Sequence, residues 1–235
     1  MEKRLEAASR CLEERYPHAS FAVMGGSSAS GLAGASSDLD LVIVDSSEPY
    51  PFRQSFWFEG YPVEAFIVTS RSYTRFFEEA VQSGLPTILR LLGDGIVIKP
   101  NSQFTRMTTM AKKLLDEGPE PCSLAELDEY RYEITEQLTD FESISDPGEA
   151  LFILLKMSDL VQKMQLRANR QWLGEGKWAA RALKAYQPQQ FDQYVKAIAA
   201  FVAEGDKSVW VDYVEAVLQE CGGRFFEGYY SVYYE

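Results

Sequence analysis

The sequence predicts a mixed α/β half followed by an all-helical half. Three observations carry this. Short apolar runs interleave with amphipathic stretches over residues 1–100. A break rich in proline and glycine follows, "DEGPEPCS" at 116–123. From Leu124 to Glu220 the pattern is helical almost without interruption. The domain boundaries expected from these textures are 1–115 for the first domain and 123–235 for the second.

The elements follow in order. Leu5, Ala8, Leu12 and Tyr16 recur at helical spacing over 3–16, and Pro17 stops that helix. "SFAVM" (20–24) and "LDLVIV" (39–44) read as buried strands. "FRQSFWFEGYPVEAFIVT" (52–69) reads as two strands joined at Glu59-Gly60. Residues 70–84 form a helix with a serine start and a glycine stop. Pro86 opens a short helix, "GIVIKP" (95–100) is a last strand, and 102–117 is helical. In the second half the helical pattern breaks near Asp146-Pro147, Gly174–Gly176, Pro188 and Gly205. The tail "GGRFFEGYYSVYYE" is aromatic enough to be expected packed against its domain.

Composition narrows the function. The 235 residues are 46% hydrophobic and 13% aromatic, which suits a globular chain with a sizeable core. Lys and Arg number 23 against 35 Asp and Glu, a formal charge of −12. A protein that grips a nucleic-acid backbone needs the opposite balance, so nucleic acid is disfavoured and small or cationic substrates are favoured. Cys11, Cys122 and Cys221 are far apart with no CxxC pair, as expected of reduced thiols rather than a disulfide scaffold. The start lacks the apolar centre of a signal peptide, and runs such as "LFILL" are too short to span a bilayer. A cytoplasmic protein without membrane association is expected. The single histidine, His18, reads as a loop residue.

The most informative stretch is "GGSSASGLAGASSDLDLVIV" (25–44). Gly25 and Gly26 follow a strand and permit a sharp turn with close backbone approach to a ligand. A short helix over "SSASGLAG" would aim free N–H groups at the same gap, and Ser27 adds a hydroxyl, so the turn reads as a phosphate cradle. Ser37 is counted with this nucleotide-binding set. Asp38 and Asp40 occupy alternate positions of a strand and project to one face. Two adjacent carboxylates repel each other unless a hard cation, typically Mg²⁺, is held between them. Glu64 in "YPVEAFIV" lies on a strand able to sit beside the pair, as a further metal ligand or as a general base.

These residues carry a resemblance. "MGGS" at 24–27, ten residues, "DLDL" at 38–41 and "VEAF" at 63–66 resemble the pattern of the nucleotidyltransferases of the DNA polymerase beta superfamily, most closely the aminoglycoside nucleotidyltransferases. The likeness covers the core, 20–70. It implies an α/β (α+β) nucleotidyltransferase domain with a mixed sheet, followed by an all-α helical bundle domain. It further implies catalysis and metal binding by Asp38, Asp40 and Glu64, Mg²⁺ as cofactor, ATP or another NTP as donor, and a small hydroxyl-bearing acceptor. Alternatives stay open: a protein-modifying, AMPylating enzyme of toxin–antitoxin type, a non-catalytic nucleotide-binding module, or a glycosyltransferase-like DxD site.

The helical half offers cations. Lys156 in "LFILLKMSDL" either snorkels to the surface or, as the likeness in layout implies, reaches the triphosphate. Arg167, Arg170 and Lys177 flank a glycine-rich break as phosphate contacts or plain surface charge, with Lys177 preferred. Glu126, Glu129, Glu133, Glu136 and Asp140 share one helix face, which is either solvated or a groove for a cationic acceptor. Asp146, Pro147 and Glu149 make a capping box, with contact to the acceptor as the second reading.

Overall fold

The structure is a computed structural model that describes residues 1–29, 31, 34 and 37–232. The chain divides into two compact units, Met1–Pro119 and the part from Glu120 onward.

In the first unit the elements are α1 (Glu2–Arg15), β1 (Phe21–Gly25), α2 (Gly26–Ala29), β2 (Leu39–Val44), β3 (Phe52–Phe58), β4 (Tyr61–Val68), α3 (Tyr73–Ser83), α4 (Thr87–Gly93), β5 (Ile96–Lys99) and α5 (Thr105–Glu117). The five strands form one sheet in the order β3-β4-β2-β1-β5. Only β2 and β4 run parallel; the other pairs are antiparallel, so the sheet is mixed. The parallel pair puts β4 beside β2 and leaves its hairpin partner β3 at the edge. One sheet face is covered by α1, whose Ala7, Ala8, Cys11 and Leu12 pack on Met24, Leu41, Ala65 and Ile67. The small side chains of α1 let the helix approach closely. On the opposite face α4 packs on β1 and β2, and Phe104 meets Phe21 with ring centroids 6.2 Å apart.

Three boundaries differ from the sequence expectation. β1 runs through Gly25, because Gly25 pairs with Asp40 and a Cβ there would lie 2.8 Å from the Leu91 backbone. Gly25 is therefore a packing glycine under α4, and the turn begins at Gly26. Helix α3 starts at Tyr73, since the Ser72 hydroxyl closes a turn by accepting from Thr69 N–H at 2.9 Å. Helix α5 starts at Thr105, after Asn101 anchors the preceding turn to Gln103 N–H and to the Ser20 carbonyl. Of the helix expected over "SSASGLAG", residues 27–29 are helical within α2, while Ser30, Leu32 and Ala33 lie outside the described residues.

The second unit contains α6 (Leu124–Ser143), α7 (Pro147–Ala168), α8 (Lys177–Tyr186), α9 (Pro188–Glu204) and α10 (Ser208–Glu220). Ser123 caps α6 by accepting from Glu126 N–H, and Asp146 caps α7 by accepting from Glu149 N–H with Pro147 in the first turn. The capping reading of "SDPGEALF" therefore holds. Ile134, Leu138, Phe141, Leu154, Met157, Val161, Trp210 and Val214 form the core. The tail packs on α6. Arg131 donates to the carbonyls of Gly222 and Gly223, Thr135 Oγ1 accepts from Phe225 N–H, and Tyr229 stacks on Tyr132 at 3.7 Å. Tyr233, Tyr234 and Glu235 lie outside the described residues.

Cys11, Cys122 and Cys221 are free thiols, and burial pushes the Cys11 thiol up to about 11. His18 is exposed in a turn. Among the described residues no helix is long and apolar enough to cross a membrane.

Candidate active site

Strand register builds the site. Gly25 pairs with Asp40, Asp40 with Glu64, and Glu64 with Ser55, so one row crosses β1, β2, β4 and β3. Directly paired residues project to the same face. Asp38, two residues before Asp40 and just outside β2, joins them. One carboxylate oxygen from each of Asp38, Asp40 and Glu64 lies within 4.8 Å of the others, and all three residues are half-buried. Among the described residues these are the three that come together in a metal-ligand arrangement.

Gly26 is what the Asp40 side chain requires. Its φ is +64°, a left-handed conformation that glycine adopts freely, and a Cβ there would lie 1.9 Å from Asp40 Oδ2. The glycine pair thus has two separate jobs: Gly25 admits α4, and Gly26 admits the carboxylate.

Two of the three acids are also positioned by arginines that sequence reasoning passed over: Asp38 through Arg4 and Glu64 through Arg53. Arg4 on α1 donates to the carbonyls of Ser37 at 2.7 Å and Gly34 at 2.8 Å, and to Ser28 Oγ at 3.2 Å. Ser28 Oγ in turn donates to the Asp38 carbonyl at 2.7 Å. Arg4 therefore ties the two ends of the loop that delivers Asp38, and its guanidinium lies over the Tyr61 ring at 5.0 Å. Arg53 on β3 donates to Glu64 Oε1 at 2.6 Å with its guanidinium 5.0 Å above the Phe66 ring. Arg53 pairs with Phe66 and Ser55 with Glu64, so the Arg53–Glu64 contact is a diagonal across one sheet face. An arginine two positions before a serine carries no signal until that register is known.

The remaining expected residues are placed as follows. Ser27 is buried in α2. Ser37 Oγ accepts from Gly34 N–H at 2.9 Å, so its hydroxyl closes the loop. Lys156 is exposed on α7 with Nζ 4.0 Å from Glu133, and Lys177 is the exposed first residue of α8. Arg167 is corrected: it is no surface charge near phosphates, because its side chain is 2% exposed. It donates to Glu126 Oε1 and Oε2 at 2.8 and 3.0 Å and to the Glu120 carbonyl at 3.0 Å. Glu126 is corrected with it. Its carboxylate serves the ion pair, and Arg167's hydrogen bonds hold it below the usual range against the opposing effect of burial. Glu129, Glu136 and Asp140 remain exposed on α6.

Chemically, three oxygen donors converging this closely suit a hard divalent cation. A mixed sheet that brings a glycine turn, an aspartate pair and a strand glutamate into one row is the arrangement the sequence led us to expect of a nucleotidyltransferase. Residues 5–115 match the family model described as a nucleotidyltransferase domain, a span that lies within the α/β unit. That match supports transferase activity on a nucleoside triphosphate. No curated protein matches the chain. Among solved structures, the chain is similar to a nucleotidyltransferase-like protein from Exiguobacterium sibiricum 255-15 at 9% identity, covering 92% of this chain and 74% of that one, with a TM-score of 0.48.

Proposed function

We propose that the protein is a Mg²⁺-dependent nucleotidyltransferase that moves a nucleoside monophosphate, AMP from ATP, to a hydroxyl of a small acceptor. The observation that carries this reading is the row from Gly25 through Asp40 to Glu64, with Asp38 completing the triad. Asp38 and Asp40 would hold the metal, with Glu64 beside them as the general base. When bound, the metal neutralises triphosphate charge and polarises the α-phosphate. The chain's own groups do the rest. The Gly26-Ser27 turn, with Ser37 behind it, cradles the phosphates. Residues 1–115 are assigned to catalysis and residues 123–235 to substrate and nucleotide binding, with Lys156 and Lys177 as the expected triphosphate contacts.

The transfer is an in-line displacement. The acceptor oxygen bonds to the α-phosphorus as the bond from that phosphorus to the bridging oxygen breaks. The bridging oxygen leaves with the electron pair as part of pyrophosphate, and the hydroxyl proton passes to Glu64. Arg53 occupies Oε1 of Glu64, so Oε2 is the oxygen assigned to the proton. The acid-rich chain and the exposed carboxylates of α6 support a cationic, aminoglycoside-like acceptor.

Pyrophosphate release tests this. Each NTP is supplied with Mg²⁺ across aminoglycosides, lincosamides and hydroxylated metabolites. Release is expected with ATP and a small hydroxyl acceptor, and it should vanish in Asp40→Asn. Glu64→Gln should lower turnover about 10²-fold or more with nucleotide affinity retained. Release that persists in Asp40→Asn would overturn the assignment.

A further inference from the structure

The same row fixes the side from which the acceptor arrives. This inference rests on the nucleotidyl-transfer reading and adds to it a binding surface. In an in-line displacement the attacking and leaving oxygens lie on opposite sides of the phosphorus. The glycine turn that receives the leaving pyrophosphate stands at the end of β1, and the carboxylates of β2 and β4 come next in the row. Beyond Glu64 there is one more strand, β3, at the sheet edge. The acceptor therefore comes over β3.

Three residues of β3 project to the same face as Glu64: Arg53, Ser55 and Trp57. Ser55 is the direct partner of Glu64, and Arg53 and Trp57 are its two diagonals. Arg53 reaches back to Glu64 and is committed there. Trp57 is not committed. Phe52, Phe56 and Phe58 on the same strand pack into the core under α1, whereas Trp57 is 74% exposed. Folding gains little from an indole in that position, and while a single exposed apolar side chain is ordinary, this one stands on the diagonal to Glu64 on the face of the site.

We propose that Trp57, with Ser55 beside it, forms the acceptor platform, and that the acceptor is a hydroxylated ring with one flat C–H face. Diagonal neighbours across a strand pair stand about 7–8 Å apart. A six-membered ring lying on the Trp57 indole therefore carries a rim hydroxyl to Glu64, with Ser55 Oγ in hydrogen-bond reach of the substituent between. An open-chain polyol presents the same hydroxyls without the flat face. Trp57 acts in specificity, by selecting which hydroxyl meets the α-phosphate.

The test is a ligand-observed NMR titration of the full chain, loaded with Mg²⁺ and a non-hydrolysable ATP analogue. Methyl α-glucopyranoside is the ring probe and sorbitol the open-chain control. The glucoside is expected to bind through its C–H face and sorbitol not to bind. Trp57→Ala should weaken the glucoside about tenfold, and Trp57→Phe, which keeps a ring face, about threefold or less. Nucleotide affinity should match wild type in both variants. Absence of glucoside binding by the loaded wild type, equal binding by Trp57→Ala, or equal binding of sorbitol overturns the platform while leaving nucleotidyl transfer standing. A wild-type chain that fails to take up the nucleotide removes the underlying reading instead.

Discussion

At the scale of single residues, the site depends on a glycine and two arginines as much as on its three acids. Gly26→Ala places a Cβ 1.9 Å from Asp40 Oδ2 in a backbone conformation that costs an L-residue about 1–2 kcal/mol. The Asp40 carboxylate must then leave the row. Affinity for the Mg²⁺–nucleotide complex, followed by calorimetry, should fall about tenfold or more, well beyond the loss in melting temperature. Arg53 makes a different prediction. In the metal-free protein its guanidinium is the cation nearest Glu64, in a cluster of three carboxylates. The pair is half-exposed, so its worth is about 1 kcal/mol or less. Arg53→Met should melt a few degrees lower without metal, and millimolar Mg²⁺ should recover most of that deficit. A deficit of equal size with and without Mg²⁺ would make Arg53 a purely structural residue. These arginines were illegible in the sequence for a definite reason. Glycine-Gly-Ser and Asp-x-Asp are local patterns, readable from spacing alone. Arg4 and Arg53 act through partners 33 and 11 residues away, and only the folded register brings them to the acids.

At the scale of elements, helices and strands were legible where period and punctuation agreed. The hairpin at Glu59-Gly60 forms as read, with Glu59 at φ 47° and Gly60 at φ 81°. The pairing of β2 with β4 was not legible, because a parallel neighbour is chosen by non-local packing and leaves no mark on either strand. The charged face of α6 illustrates the same limit. Five acids at helical spacing look equivalent, yet Glu126 points to a buried partner on α7 while Glu129, Glu136 and Asp140 are exposed. The periodicity of α6 identifies the face and is silent on what the next helix brings to it. Glu126→Gln leaves the buried Arg167 guanidinium without its carboxylate, though still bonded to the Glu120 carbonyl, and should cost about 3 kcal/mol in urea unfolding. The pH sign follows from the depressed carboxyl. Glu126 binds its proton more weakly folded than unfolded, so its stabilisation is present above the ordinary range near 4.5. It is lost as pH falls through the lower folded value. Wild type should lose stability below pH 4.5 more steeply than Glu126→Gln, as measured by urea midpoints across that range.

At the scale of the whole molecule, charge discriminates between acceptors. The chain carries −12 at neutral pH, and its Lys and Arg are outnumbered 23 to 35. A polynucleotide acceptor brings further negative charge, so the mean field opposes its approach. For a protein built to hold nucleic acid, affinity falls with salt because phosphate contacts release condensed counterions. Here the sign should reverse. Added salt screens the repulsion over about 8 Å at physiological ionic strength, so weak inhibition of transfer by a single-stranded oligonucleotide should grow with salt. A cationic small acceptor is drawn by the same field, and its apparent KM should rise over the same range. The two slopes are measured in one assay, pyrophosphate release at fixed MgATP with sodium chloride varied. Oligonucleotide inhibition that weakens with salt would reveal a local basic track strong enough to outweigh the net charge. It would return nucleic acid to consideration as the acceptor. A KM for the cationic acceptor that is flat in salt would place its recognition in uncharged contacts, where the indole of Trp57 is the surface of that kind beside Glu64.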